Sequence, residues 1–186
     1  LTVVVNNKGK KYTQSYKKGI PTADVKVIGE SKTTGTTVHF QPDAEIFDTL
    51  EYSFDTLSKR LRELAFLNAG IKITLRDERN KGKEMVFQFK GGISSFVEHL
   101  IENKVPLSKK PIYFHAAKDN IDIEIALSYI DTYTETVYTF ANNINTREGG
   151  THLIGFKSAL TRVLNDFLKR EKMDKKTDQL SGDDVR

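Results

Sequence analysis

The chain has 186 residues, of which 38% are hydrophobic and 29% charged, and its mean hydropathy is −0.47. This composition is typical of a globular chain with a sizeable core and excludes a largely disordered one. No stretch approaches the roughly 20 apolar residues of a membrane-spanning helix, so we expect a cytoplasmic protein. Cysteine is absent, which excludes disulfides, thiol nucleophiles and thiolate metal sites.

The charge balance is mildly basic. Lys and Arg number 29 against 25 Asp and Glu, which gives a net charge of +4 and a pI near 9.1. A bias of this size suits a polyanionic partner such as a nucleic acid without requiring one. Residue 1 is Leu and opens directly into a strand-like run, so we expect a fragment of a larger protein.

The first forty residues alternate β-favouring runs with turn signals, which predicts a strand-rich segment. The expected strands are Leu1–Val5, Lys11–Tyr16, Val25–Ile28 and Thr36–Phe40, with turn signals at Asn7–Gly9 and Gly19–Pro21. After Pro42 the apolar residues recur at helical spacing from Phe54 to Ala65, behind a possible cap at Ser53, and Gly70 is expected to end this helix. A domain boundary is therefore expected within residues 42–53.

The remainder predicts a mixed arrangement of strands and helices. A hairpin of Ile71–Arg76 and Glu84–Lys90 is joined by a turn at residues 80–82, and a short helix follows over Ile93–Ile101. Three strands, expected to be antiparallel, then cover Ile112–Ala116, Ile121–Tyr129 and Thr134–Ala141. A long helix from about Thr151 is expected to bury Leu153, Phe156, Leu160, Val163, Leu164 and Phe167. This order of elements predicts an α+β fold.

One candidate binding motif is Gly35, which lies between pairs of threonines just before a strand. A glycine flanked by hydroxyl groups lets a ligand approach the backbone closely. An ordinary solvated turn explains the same residues, since the sequence contains no Walker-type or G-x-G-x-x-G phosphate-binding motif.

A second candidate is the entry to the long helix, Arg147–His152, where paired glycines and a capping Thr151 would leave N–H groups free for an anion. An ordinary helix entry is the alternative. The helix itself carries basic residues that could contact phosphates or could simply be solvated: Lys157, Arg162, Lys169, Arg170 and Lys172.

Two patterns carry little functional weight. Asp122 and Glu124 share one face of a predicted strand, and we expect that face to point outward rather than to form an acid/base or metal site. The four histidines lie far apart with no metal-binding spacing.

Seven segments of the chain match one known family in order and spacing. They are Gly35–Asp43, Arg60–Asn68, Leu75–Asp77, Gly91–Ile93, Asn142–Ile144, Glu148–Phe156 and Ser181–Arg186. Together they resemble the ATPase subunits of bacterial type IIA topoisomerases, a family that includes gyrase B and its topoisomerase IV counterpart. The resemblance covers essentially the whole chain.

The resemblance implies a fold and an activity. Residues 1–45 would be the last strands of a GHKL-type ATP-binding domain, and residues 46–186 a transducer domain similar to ribosomal protein S5 domain 2. ATP binding and hydrolysis would drive DNA strand passage and negative supercoiling, with decatenation of the topoisomerase IV type as the alternative. The implied partners are double-stranded DNA, a gyrase A-type subunit and a second copy of the ATPase subunit itself, which dimerises with ATP.

The resemblance also implies roles for four residues. Gly35 and Thr36 match the floor of the adenine pocket, Val38 matches an apolar lining position, and Lys157 lies where the family often has an Arg facing the transported DNA. ATP and Mg²⁺ are the implied cofactors. The family's general base, its Mg²⁺-binding Asn and its Gln-Thr-Lys loop correspond to positions before Leu1 or after Arg186, so no catalytic residue is expected in this chain.

An interpretation from another class stays open. The chain could be a stand-alone nucleic-acid-binding module on the S5-like fold, without ATPase activity. The missing active-site residues favour this module, whereas the Gly35–Thr36 motif and the start without Met favour the ATPase fragment.

Overall fold

The computed structural model describes residues 1–79, 82–173 and 178–185. These residues divide into two compact units, Leu1–Ser53 and the residues from Phe54 onward. The division lies at the end of the range 42–53 and a little after the 45/46 domain boundary that the resemblance implies.

The first unit is an antiparallel sheet of five strands. They are β1 (Thr2–Asn7), β2 (Lys10–Lys17), β3 (Ile20–Pro21), β4 (Lys26–Glu30) and β5 (Gly35–His39). The order is β3-β2-β1-β5, with β4 also pairing with β2. Lys8 and Gly9 have positive φ angles of 47° and 79° and turn β1 back into β2. The four strands predicted for this segment are confirmed, and the segment expected as a turn at Gly19–Pro21 also contains the short strand β3.

The second unit begins with a helix packed on a hairpin. Its first elements are α1 (Phe54–Leu67), β6 (Lys72–Asp77), β7 (Lys83–Gln88) and α2 (Gly92–Leu100). Phe66 on α1 is 2% exposed and stacks on Phe89 and Phe96, with ring centroids 3.6 and 5.1 Å away. Gly70, at φ 84°, donates its N–H to Phe89 O after the helix ends. The predicted helix and hairpin are therefore confirmed, while turn residues 80 and 81 lie outside the described residues.

The expectation of three antiparallel strands after α2 is wrong. β8 (Ile112–Lys118) and β9 (Ile121–Leu127) pair as a hairpin, but of Thr134–Ala141 only the last two residues form a strand, β10 (Phe140–Ala141). That strand pairs with β11 (Ile144–Asn145). Asn142 and Asn143 have φ angles of 49° and 65°, so a two-residue turn reverses the chain toward β11 rather than leaving it beside β9.

The last helix, α3 (Thr151–Arg170), is present as predicted, but part of its expected apolar face is wrong. Val163 and Phe167 are 58% and 44% exposed, whereas Asn165 is buried. The segment 178–185 docks on the Asn165 side of the helix, so the buried face of α3 includes this polar residue.

Small antiparallel sheets combined with three helices in the described residues confirm the α+β class. None of the described helices is long and apolar enough to cross a membrane.

Candidate functional site

The approach to Gly35 is a tight polar turn. The Ser31 hydroxyl donates to Thr33 O at 3.0 Å and accepts from Thr33 N at 3.3 Å, so the chain is held by its own polar groups just before β5. A Cβ at Gly35 would meet no atom within 4 Å. The space above Gly35 is therefore open to an incoming group.

Thr36 and Val38 lie on the same face of β5, because side chains alternate along a strand. β5 ends the strand order and pairs only with β1 in the described sheet, where Val5 opposes Thr36 and Val3 opposes Val38. All five residues of β5 are exposed. Among the described residues, nothing hydrogen-bonds the Thr36 hydroxyl. The face of β5 that carries Thr36 and Val38 therefore combines a free hydroxyl with an apolar side chain, while Gly35 lies on the opposite face with Thr37.

The entry to α3 differs from the expectation that Thr151 is its cap. The N-cap is Gly150, without a side-chain hydrogen bond, and Thr151 is the first helical residue. The His152 ring lies over Gly150, since a Cβ there would be 2.8 Å from the ring Cε1. The first amide groups of the helix thus lack a side-chain cap. No capping side chain therefore offsets the partial positive charge of the helix dipole at this end.

A groove of about 600 Å³ runs along α3. Three cationic side chains line it, Lys157, Arg162 and Lys169, with Asp166 as the only lining carboxylate in the described part of the chain. Lys157 and Lys169 are separated by twelve helical positions on α3, which corresponds to about 18 Å along the helix axis. A basic strip of this length can contact several phosphates of one nucleic-acid backbone.

The other wall of the groove comes from the segment 178–185, which supplies Gln179 and Gly182. The Asn165 amide donates to Leu180 O at 2.9 Å and to Thr161 O at 3.0 Å, and its oxygen accepts from Leu180 N at 2.8 Å. Asn165 is 7% exposed. The buried amide therefore clamps the segment onto α3 in the way a neighbouring strand would.

Two further contacts fix the end of that segment. Asp184 accepts from the N–H and hydroxyl of Ser181 at 2.7 and 2.6 Å, which lowers the pKa of Asp184 below its ordinary value. The Tyr129 hydroxyl donates to Val185 O at 3.0 Å, and Val185 is 4% exposed. Sequence reasoning missed this clamp, although an Asn inside an apolar helix pattern was a signal that could have indicated it.

Lys157 is the sequence-predicted DNA contact, and its ammonium group is already paired. Its Nζ lies 2.9 and 3.0 Å from the two carboxylate oxygens of Glu135. Glu135 lies outside any helix or strand and has no motif around it, so nothing in the sequence pointed to this pair.

The carboxylates of β9 are exposed, as expected from the sequence. The Asp122 carboxylate lies against the His115 ring, and Glu124 accepts from the Tyr113 hydroxyl at 2.8 Å, which raises the pKa of Tyr113. Within the described residues no group of three or more His, Asp or Glu side chains is placed to hold a metal ion.

Two of the segments on which the family resemblance depends meet in space. The Arg60 guanidinium donates to Asn143 O at 2.8 Å, and the Asn143 amide donates to Asn68 Oδ1 at 3.1 Å. Asn145 reaches Glu63 at 3.4 Å. These contacts join α1 to the β10–β11 turn, which gives the two segments a structural role.

Comparison with known proteins gives one consistent result. A family model described as DNA gyrase B matches residues 92–186. The DNA gyrase B protein of Bacillus mycoides is 50% identical over 188 residues, which cover 100% of this chain and 46% of that protein. Its Staphylococcus aureus counterpart is 50% identical over 190 residues, which cover 100% of this chain and 30% of that protein. The chain thus spans about half or less of the length of these relatives.

Solved structures agree with the sequence matches. The 43K ATPase domain of Thermus thermophilus gyrase B, solved in complex with an aminocoumarin, superimposes with a TM-score of 0.83 at 38% identity. That match covers 98% of this chain and 50% of the other. The B-subunit of the Myxococcus xanthus DNA gyrase gives a TM-score of 0.80 at 26% identity, covering 89% of this chain and 49% of the other.

Proposed function

Since the chain belongs to the DNA gyrase B family, we propose that it is part of a subunit that couples ATP binding and hydrolysis to DNA strand passage and negative supercoiling. The observation that carries this proposal is the 50% identity to a DNA gyrase B protein over the whole chain. Residues 1–45 then form the end of a GHKL-type ATP-binding domain. Residues 46–186 form the transducer, similar to ribosomal protein S5 domain 2. Decatenation of the topoisomerase IV type is the alternative, and the names of the relatives favour gyrase.

In this proposal the exposed face of β5 holds the adenine of ATP. The free Thr36 hydroxyl hydrogen-bonds the edge of the base and Val38 packs against its face, while Gly35 adds no side chain where the strand begins. No step of phosphate transfer is assigned to a residue of this chain. The described residues contain no carboxylate or imidazole cluster suited to Mg²⁺, so no metal ligand is assigned either.

The basic groove of α3 is the proposed DNA contact. The phosphates would be contacted by the side chains of Lys157, Arg162 and Lys169. Phosphate contacts do not depend on base sequence, as an enzyme that transports duplexes of any sequence requires. The further partners are a gyrase A-type subunit and a second copy of the ATPase subunit, assembled with ATP. Since the substrate is the bacterial chromosome, we expect the protein in the cytoplasm.

The adenine contact is tested by Thr36→Val, which removes the hydroxyl and keeps the β-branched shape. The loss of one hydrogen bond should weaken ATP binding about two- to tenfold. The matched control is Thr37→Val, because the Thr37 side chain lies on the opposite face of β5 and should leave affinity unchanged. Isothermal titration of the protein that carries this chain with a non-hydrolysable ATP analogue measures both.

Equal ATP affinities in wild type and Thr36→Val would refute the adenine role of β5. If the wild-type protein bound duplex DNA but no ATP at all, the stand-alone nucleic-acid-binding module would replace the ATPase proposal.

A further inference from the structure

We propose that Glu135 is an internal competitor for the DNA phosphate at Lys157, and that it limits the affinity of the α3 groove for duplex DNA. The inference rests on the proposed DNA contact and concerns the regulation of that same site.

The geometry of the pair carries the inference. Both carboxylate oxygens of Glu135 lie within hydrogen-bond distance of Lys157 Nζ, at 2.9 and 3.0 Å. An ammonium group has three N–H donors, and two oxygens of one anionic group already lie against it. A DNA phosphate would present two oxygens of the same charge to the same atom. The carboxylate therefore occupies the place that a phosphate needs.

Lys157 differs in this respect from the other cations of the groove. No ion pair involves Arg162 or Lys169 within the described ranges. The groove thus presents two free cations and one neutralised cation. Glu135 therefore reduces the positive potential of the groove most strongly at Lys157, the cation that it contacts.

The pair is able to open. The side chains of Lys157 and Glu135 are 26% and 39% exposed, and ion pairs with this much solvent contact are weak. Glu135 also lies outside the helices and strands, so its displacement breaks no backbone pairing of those elements. A duplex, which also releases counterions when its phosphates are contacted, can displace the carboxylate at a modest energetic penalty.

The test uses Glu135→Gln, which keeps the shape of the side chain and removes its charge. Removing a partly exposed ion-pair partner should tighten duplex binding about two- to fivefold. Affinity is measured by fluorescence anisotropy with a short linear duplex of mixed sequence, at several salt concentrations. The double variant Glu135→Gln/Lys157→Gln should not bind duplex DNA more tightly than the wild type, because it has no ammonium group at position 157 for a phosphate to contact.

A matched control separates this effect from net charge. Glu84 pairs with Arg76 at 2.6 Å on the β6–β7 hairpin, so Glu84→Gln makes the same charge change and also frees a cation. It should leave duplex affinity near the wild-type value. If Glu84→Gln and Glu135→Gln raised the affinity for duplex DNA equally, the change in net charge would explain the effect and the inference would be overturned.

The remaining outcomes distinguish the inference from the proposal beneath it. If Lys157→Gln weakens binding while Glu135→Gln leaves it unchanged, the DNA contact stands and the competitor role falls. Weaker binding by Glu135→Gln would mean that the carboxylate positions Lys157 for DNA, which also overturns competition. If Lys157→Gln leaves the affinity unchanged in the Glu135→Gln background, where no carboxylate pairs with Lys157, the DNA contact itself is wrong.

Discussion

At the scale of single residues, the strongest electrostatic perturbation is a local one at the end of β6. Asp77 accepts from the Arg79 guanidinium at 2.9 and 2.8 Å and from its backbone N–H at 3.0 Å. These bonds, the side-chain ones first, lower the pKa of Asp77 from 3.8 to about 2. Since the native pKa is depressed, the interaction stabilises the fold above pH 3.8 and is lost as the pH falls through about 2.

The cause of this pKa shift can be tested by Arg79→Gln. The pKa of the Asp77 carboxyl should rise most of the way toward 3.8, and the backbone N–H bond should hold it slightly below that value. Carbon-detected NMR titration of the carboxyl reads the change. Arg76→Gln is the control, because Arg76 pairs with Glu84 and not with Asp77. A pKa near 2 in Arg79→Gln would contradict this assignment.

At the scale of elements, a single buried amide decides how the end of the chain meets α3. Asn165 satisfies both backbone groups of Leu180. A buried polar group is stabilising only when its hydrogen bonds are made, and its removal leaves the partners unpaired. The position of one groove wall therefore depends on this residue.

Asn165→Ala should lower the free energy of unfolding by about 1–3 kcal/mol and release the segment 178–185. Urea denaturation measures the free energy of unfolding, and faster hydrogen exchange at the Leu180 amide would report release of the segment. Asp166→Ala, on the exposed side of the same helix turn, should change stability by less than about 0.5 kcal/mol. An unchanged exchange rate at Leu180 in Asn165→Ala would show that the clamp does not hold the segment.

At the scale of the whole molecule, nucleotide and DNA contacts are proposed on different units. Gly35, Thr36 and Val38 lie in the unit Leu1–Ser53, and Lys157 lies in the unit that begins at Phe54. A change at the DNA contact should therefore affect the two activities unequally.

Lys157→Glu should slow DNA strand passage several-fold while basal ATP hydrolysis stays near the wild-type rate, since it replaces a phosphate contact with a repulsive charge. Supercoiling and ATPase assays on the same preparation measure the two rates. Lys72→Glu, at an exposed position of β6, controls for charge reversal as such. Equal losses in both activities would indicate damage to the fold instead of a DNA role.

Local sequence patterns were enough to predict most of the helices and strands. Alternation and turn residues predicted four of the five strands of the first unit, and helical spacing predicted α1, α2 and α3, because one face of each element must be apolar. The same residues established the family resemblance. The placement of Thr36 and Val38 on one face of β5 also followed from the sequence, since side chains alternate along a strand, and their contact with adenine stays a proposal.

Features that join residues distant along the chain became visible only in the folded structure. The pairing of β10 with β11, the Asn165 clamp and the Lys157–Glu135 ion pair each depend on where a second segment lies. Local patterns carry no information about that position, because a strand or a basic side chain has many partners of equal chemistry. The burial of Asn165 and the exposure of Val163 have the same physical reason. The face of α3 that is shielded from solvent is the face that another segment of the chain covers.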